Sequence, residues 1–149
     1  MSICSRHATC VTDALQHAEK ICQQADVRLT KTRRQVLELL WKNHQPRKAY
    51  DVLADLGKID ASAKPPTVYR ALDFLQKLGL VHKVDSLNAY IGCSGDHVHQ
   101  YLVCQECHDV SDIHDETLAK TLRAKAQAKG FRVDSAVIEI KGHCERCVK

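Results

Sequence analysis

The stretch from Cys93 to Asp112, CSGDHVHQYLVCQECHDVSD, holds three cysteines, three histidines and three aspartates. Within it Cys104 and Cys107 form a C-x2-C knuckle, and Cys144 and Cys147 form a second. Thiolates at i and i+3 of a tight turn converge on one ion, and two such knuckles supply the four soft ligands of a tetrahedral Zn²⁺. Thirty-six residues separate the knuckles, room for a helix and a strand, so the ion would tie the two ends of a domain together. A closed four-thiolate shell has no open position, which makes the site structural rather than catalytic. A redox dithiol and unrelated thiols are the other readings of the same cysteines.

A second set of ligands is left over: His82, Cys93, His97, His99 and Asp112. One thiolate, two imidazoles and one carboxylate suit Zn²⁺, and the thiolate tilts the choice away from Fe²⁺ or Mn²⁺. By spacing alone a solvated, histidine-rich hinge fits as well. His82 and Cys93 are expected to meet only through closure with the second domain. Cys4, His7 and Cys10 have a C-x2-H-x2-C spacing, but residues 1–11 lack periodicity and read as a mobile tail. Cys22 lies on an apolar helical stripe and reads as a small buried hydrophobe. His17, His44, His108 and His114 read as surface residues, and His143 as a possible substitute for a thiolate.

Helical spacing predicts a first helix from Thr12 to about Ala25. A second follows Thr30 as N-cap, with Val36, Leu37, Leu40 and Trp41 on its core side. A third runs from Ala49, burying Tyr50, Val52, Leu53 and Leu56, with Gly57 as its stop. Pro65-Pro66 opens a fourth, which Gly79 closes. Val68, Ala71, Leu72, Leu75 and Leu78 share one of its faces; Tyr69, Arg70, Asp73 and Gln76 share the other. Leu80–Asp85 and Ala89–Cys93 read as a hairpin with Ser86-Leu87-Asn88 as its turn. Beyond it come strands at Gln100–Val103 and Val110–Ile113, a helix at Asp115–Lys129 stopped by Gly130, and a strand at Ala136–Ile140. The fold class is therefore α+β. An N-terminal winged helix-turn-helix domain covers residues 1–88 including the tail, a hinge covers 89–96, and a C-terminal α/β domain with the Cys4 zinc site, which the resemblance named below implies is the dimerisation domain, covers 97–149.

Of the net charge of +4, residues 1–85 carry 14 Lys/Arg against 9 Asp/Glu, and residues 86–149 carry 8 against 9. The basic half is the nucleic-acid candidate. Arg70 could pair in bidentate fashion with guanine and Tyr69 could reach a base edge. Thr67 stands at the start of the same helix. Arg28, Lys31, Arg33 and Arg34 could clamp phosphates, or be an ordinary solvated helix start. No apolar run is long enough to span a bilayer, and MSICSRHATC lacks the apolar segment of a secretory signal. Of the eight cysteines, the four in paired knuckles then favour metal binding in a reducing cytoplasm over disulfides. P-loop and G-x-G-x-x-G motifs and an ordered Ser/His/Asp set are missing, so an enzyme is not expected. A zinc hydrolase is the contrasting class and needs an open coordination position with a base beside it.

Taken together, RLTKTRRQVLELL, KPPTVYRALDFLQKLGLVHKVDSLNAYIGC, HVHQYLVCQEC and the terminal CERC resemble the ferric uptake regulator family, the zinc uptake regulators being the most similar branch. The resemblance covers residues 12–149. It implies a cytoplasmic bacterial repressor that binds operator DNA as a zinc-loaded homodimer, with two Zn²⁺ per chain and no small-molecule substrate. Cys104, Cys107, Cys144 and Cys147 match the family's structural zinc site. His82, Cys93, His97 and Asp112 match the zinc branch's sensing site, with His99 the alternative to His97. Tyr69 and Arg70 match base-contacting positions. Asp112 departs from the family, which usually has glutamate there. Regulators sensing iron or manganese, and a DNA-binding protein whose zinc is purely structural, remain the alternatives.

Overall fold

A computed structural model describes residues 7–93 and 98–148, with side chains from Thr9 onward. The chain divides into two compact units, Ile3–Gly95 and Asp96–Lys149.

In the first unit, α1 (His7–Gln24), α2 (Lys31–Trp41), α3 (Ala49–Ile59) and α4 (Pro65–Lys77) precede a hairpin of β1 (Val81–Val84) and β2 (Ala89–Gly92). The first helix begins at His7, five residues before its predicted start, so the apolar stripe understates its length; Cys4 lies outside the described residues. Thr30 caps α2, its hydroxyl accepting from the Arg33 N–H. Two prolines open α4, where their missing N–H groups cost nothing, and Thr67 Oγ1 accepts from the Lys64 N–H. Gly79, at φ 69°, turns the chain out of α4 towards β1 in a conformation that glycine adopts without strain.

Two expectations for α3 fail. Gly57 does not end it: the helix runs on to Ile59 and its C-cap is Asp60. A glycine costs a helix only about 1 kcal/mol, less than the burial of Leu56 beside it returns. Tyr50 is not core but 78% exposed, because the buried stripe runs through Ala49, Val52 and Leu56. The core joins Val36, Leu37 and Leu40 of α2, Leu56 of α3, Leu72 and Leu75 of α4, and Leu80 and Val81 at the wing, all almost fully buried. The wing is antiparallel, with His82 opposite Ile91 and Val81 opposite Gly92. A short 3₁₀ turn, Asp85–Leu87, leads to Asn88 in the left-handed region (φ 48°), which asparagine tolerates.

The second unit is a three-stranded sheet, β4-β3-β5, with one helix. Strand β3 (His99–Cys104) is central, antiparallel to β4 (Val110–Ile113) and parallel to β5 (Val137–Gly142). The parallel pairing needs a crossover, which α5 (Glu116–Ala128) supplies. Asp115 caps α5 by accepting from the Leu118 N–H at 3.0 Å, and its own carbonyl accepts from the buried Gln100 side chain at 2.9 Å. Buried residues here are Val98, Val110 and most of β3; among the described residues none of α5 is buried. Leu102, Leu118, Leu122, Val137 and Ile140 are exposed instead.

Leu72→Ala should therefore destabilise the first unit by about 2–5 kcal/mol, read as a lower urea midpoint. Leu122→Ala should leave the unfolding of a dilute, dissociated chain nearly unchanged.

Candidate metal centre and nucleic-acid interface

The ligand-bearing ends of the second unit meet because β3 and β5 are parallel and in register. Cys104 ends β3 opposite Gly142, and the ladder continues as the Gln105 N–H donates to the Gly142 carbonyl at 2.8 Å. The first knuckle closes with the His108 N–H on the Cys104 carbonyl at 3.0 Å, and His108 takes the left-handed φ of 59° that the turn demands. The second closes with the Cys147 N–H on the Cys144 carbonyl at 2.8 Å. The four sulfurs of Cys104, Cys107, Cys144 and Cys147 all lie within 4.8 Å of one another. Those of Cys107 and Cys144 are 3.7 Å apart. A tetrahedron with metal–sulfur bonds of about 2.3 Å has edges of about 3.8 Å, so the arrangement fits a zinc ion.

Electrostatics point the same way. Backbone N–H groups of Cys107 and Cys144 aimed at Cys104 bring its thiol down to about 6; the Cys144 N–H lies 3.4 Å from that sulfur. Cys147 is pushed up to about 12, first by its hydrogen bond with Cys144, then by burial and the other two thiols. Neighbouring sulfurs cannot all ionise unless a cation compensates them. Arg146, paired with Asp109 at 2.8 Å, adds a positive charge at the rim.

Of the second set, the wing brings together His82 and Cys93. The Cys93 N–H donates to the Leu80 carbonyl at 2.9 Å, extending the hairpin past Gly92. That register puts Cys93 diagonally across from His82 on one face, with ligand atoms within 4.8 Å. Closure with another domain is not required for this pair to meet, because hairpin register alone does it. Cys93 is 5% exposed, a buried thiol at a strand end. His97 lies outside the described residues. His99 opens β3, 5% exposed, its ring stacked on Tyr101 at 6.0 Å between centroids. Asp112 pairs with Tyr101 across β3 and β4, so its exposed carboxylate shares a face with His99, one diagonal step away.

On α4, Val68, Ala71, Leu72 and Leu75 fill the core while Tyr69 (54% exposed) and Arg70 face solvent; Thr67, half-buried, is engaged in the helix start. The basic residues at α2 divide into two kinds. Arg28 and Lys31 are exposed. Arg33 lies over the Phe74 ring at 3.5 Å and donates to the Arg28 carbonyl at 2.7 Å, while Arg34 is ion-paired with Glu19. Arg33 thus ties α2 to α4 and Arg34 ties α2 to α1. Neither role was visible in the sequence, since the partners are 41 and 15 positions away.

The model of the ferric uptake regulator family matches residues 24–141. The chain belongs to that family. The zinc uptake regulation protein of Escherichia coli (strain K12) is 40% identical over 145 residues, spanning 95% of this chain and 85% of that protein. Among solved structures, a zinc uptake regulator complexed with zinc and DNA aligns with a TM-score of 0.78 at 39% identity, over 91% of this chain and 93% of that one. The holo crystal structure of XcZur aligns at 0.72 with 36% identity, over 89% and 94%. No helix among the described residues is long and apolar enough to cross a membrane.

Two substitutions check the assignments made from geometry. Cys104→Ser should remove the metal that survives chelator treatment and unfold the second unit, seen as lost zinc and lost β-sheet dichroism. Arg33→Ala should cost about 0.5–2 kcal/mol of stability in a denaturant melt, more than Lys31→Ala, which removes only an exposed charge.

Proposed function

We propose that this protein is a zinc-responsive transcriptional repressor that binds operator DNA as a homodimer and controls zinc uptake. The observation that supports the reading is the His82–Cys93 pair: an imidazole and a thiol within 4.8 Å of each other on the wing hairpin, one glycine-closed turn after a helix that exposes Tyr69 and Arg70. The relatives named as zinc uptake regulators, one of them complexed with zinc and DNA, support the same reading.

In this reading Cys104, Cys107, Cys144 and Cys147 hold a permanent ion. His82, Cys93, Asp112 and one of His97 and His99 hold an exchangeable one, giving two per chain. The burial and stacked ring of His99 support it as the imidazole that joins His82 and Cys93, with His97 as the alternative. Zinc supplies the divalent charge that lets such side chains share a small volume. By sharing it, His82 and Cys93 of the winged domain are joined to Asp112 and the histidine of the dimerisation domain across the hinge at 89–96. The exposed apolar residues of α5, β3 and β5 are the surface a second copy covers. Two reading helices then have to meet major grooves about 34 Å apart, and side chains that fix the hinge remove the ordering cost from DNA binding. Zinc and DNA affinities are reciprocally linked, and a hundred-fold switch corresponds to about 2.7 kcal/mol. Tyr69 and Arg70 read base edges, Arg28 and Lys31 touch phosphates, and Thr67 orders the start of the helix that carries the readers. The protein is not an enzyme, and its paired C-x2-C knuckles suit the reducing cytoplasm of a bacterium.

The test is a mobility shift on operator DNA with free zinc buffered across a series. Wild type should bind only above a threshold, and Cys93→Ser should stay folded yet lose the zinc dependence; binding that ignores zinc in the wild type rejects the switch. Arg70→Ala should cost about 1–3 kcal/mol on the operator and little on random DNA, whereas Lys31→Ala should chiefly lower the salt slope.

A further inference from the structure

Gly92, the last residue of β2, is pressed against the indole of Trp41, the last residue of α2. A methyl group added at Gly92 would stand 2.5 Å from Nε1, 2.7 Å from Cδ1 and 2.8 Å from Cε2. Three nearly equal distances place it above the face of the five-membered ring, since an in-plane approach to Nε1 would leave the flanking carbons much farther away. The ring lies flat on the Gly92 Cα, and only glycine allows that approach. Trp41 Nε1 is buried without a hydrogen-bond partner among the described residues, so packing holds the ring, with His44 edge-on at 5.6 Å.

The same α2–α3 connection grips β2 a second time. Arg47 exchanges two backbone hydrogen bonds with Tyr90, both 2.8 Å. The next residue after this clamped pair of positions is Cys93, whose N–H is fixed on Leu80. Cys93 therefore leaves the wing from a backbone that Trp41, Arg47 and Leu80 hold from three directions, while β2 itself is only four residues long.

We propose that Trp41 is a positioning residue for the exchangeable zinc: its indole, lying on Gly92, sets where Cys93 presents its sulfur relative to His82. The inference rests on Cys93 and His82 being zinc ligands. It adds that the end of α2, and through it the entry to the helix-turn-helix, is mechanically continuous with the ligand pair. An ion captured at Cys93 and the position of the Trp41 ring are then coupled, and the coupling runs both ways. Groups that orient metal ligands from outside the coordination shell typically change affinity by about 10–100-fold when altered.

The test uses the full-length protein carrying its permanent zinc, titrated with Zn²⁺ alone against a chromophoric chelator. Gly92→Ala should weaken the exchangeable zinc by about ten-fold or more while the permanent ion stays. Trp41→Phe, a smaller ring, should also weaken it. The double variant should bind more tightly than Gly92→Ala, because the methyl occupies space the indole vacated; a general loss of stability would add the two defects instead. Trp41 is the single tryptophan of the chain, so its emission reports on this contact, and zinc should shift it in the wild type but not in Cys93→Ser. Wild-type zinc affinity in both single variants overturns the proposal, as does a double variant no better than Gly92→Ala, or an emission that zinc does not move. Should Gly92→Ala lose its permanent ion through misfolding, Trp41→Phe and the emission decide. Cys93→Ser separates the two levels. If it keeps the exchangeable zinc, the ligand assignment itself fails; if it loses that zinc while Gly92→Ala and Trp41→Phe do not, only the role of Trp41 fails.

Discussion

Four sulfur atoms confined within 4.8 Å of one another are the constraint on which the second unit depends. Backbone N–H groups make one of them, Cys104, an easy thiolate at about 6; the cost of crowding appears at Cys147, pushed up to about 12. A divalent cation would remove that conflict and make the cluster a cross-link. Such a cross-link would matter because the unit has little else. Its buried residues lie almost wholly on β3, and α5 contributes none of them. A sheet of three strands with an uncovered helix is too thin to stand on burial alone, and a metal and a second copy are two ordinary remedies.

The first unit is built on the opposite economy. Four helices and the wing close a core in which Leu37, Leu40, Leu56, Leu72 and Leu75 are almost completely hidden. Because that core needs no ion, its surface can be given over to contacts. Tyr69 and Arg70 stand out from α4 with their backbone anchored below by Val68, Ala71 and Leu72. Arg33, lying on Phe74, holds α2 against the same helix. As the base readers proposed above, side chains fixed in this way would lose little further freedom on meeting a groove, and affinity would be spared that loss.

Local physics was legible in the sequence and distant pairing was not. The C-x2-C spacing announced both knuckles, and Thr30, Pro65, Gly79 and Gly130 marked helix ends because caps act within three or four residues. Gly57 misled for the same reason: as a local signal it reads as a stop, but the burial of Leu56 outweighs it. Tyr50 misled because an aromatic beside Val52 and Leu53 resembles core, although the helix turns it outward. The packing of Arg33 on Phe74 and the pairing of Arg34 with Glu19 were not legible, since those partners are distant in the sequence. His82 and Cys93 are eleven residues apart, and only the hairpin register, with a 3₁₀ turn and Asn88 at positive φ, sets them diagonally on one face.

That last pairing bears on how the sensing site proposed above would sit on so slight an element. A two-stranded ribbon is marginal by itself, so its geometry is set by whatever it touches. Here β2 touches Trp41, at the end of α2, through Gly92, and Arg47, in the connection that leads into α3, through Tyr90. Ligands placed in the hydrophobic core would bind in a frame too stiff to respond, and ligands on a free loop would respond without telling the helices. A hairpin held at two points by the helix-turn-helix lies between these limits. In the coupling proposed above, its strands would yield to a bound ion, and the indole face pressed on Gly92 would pass that movement to α2.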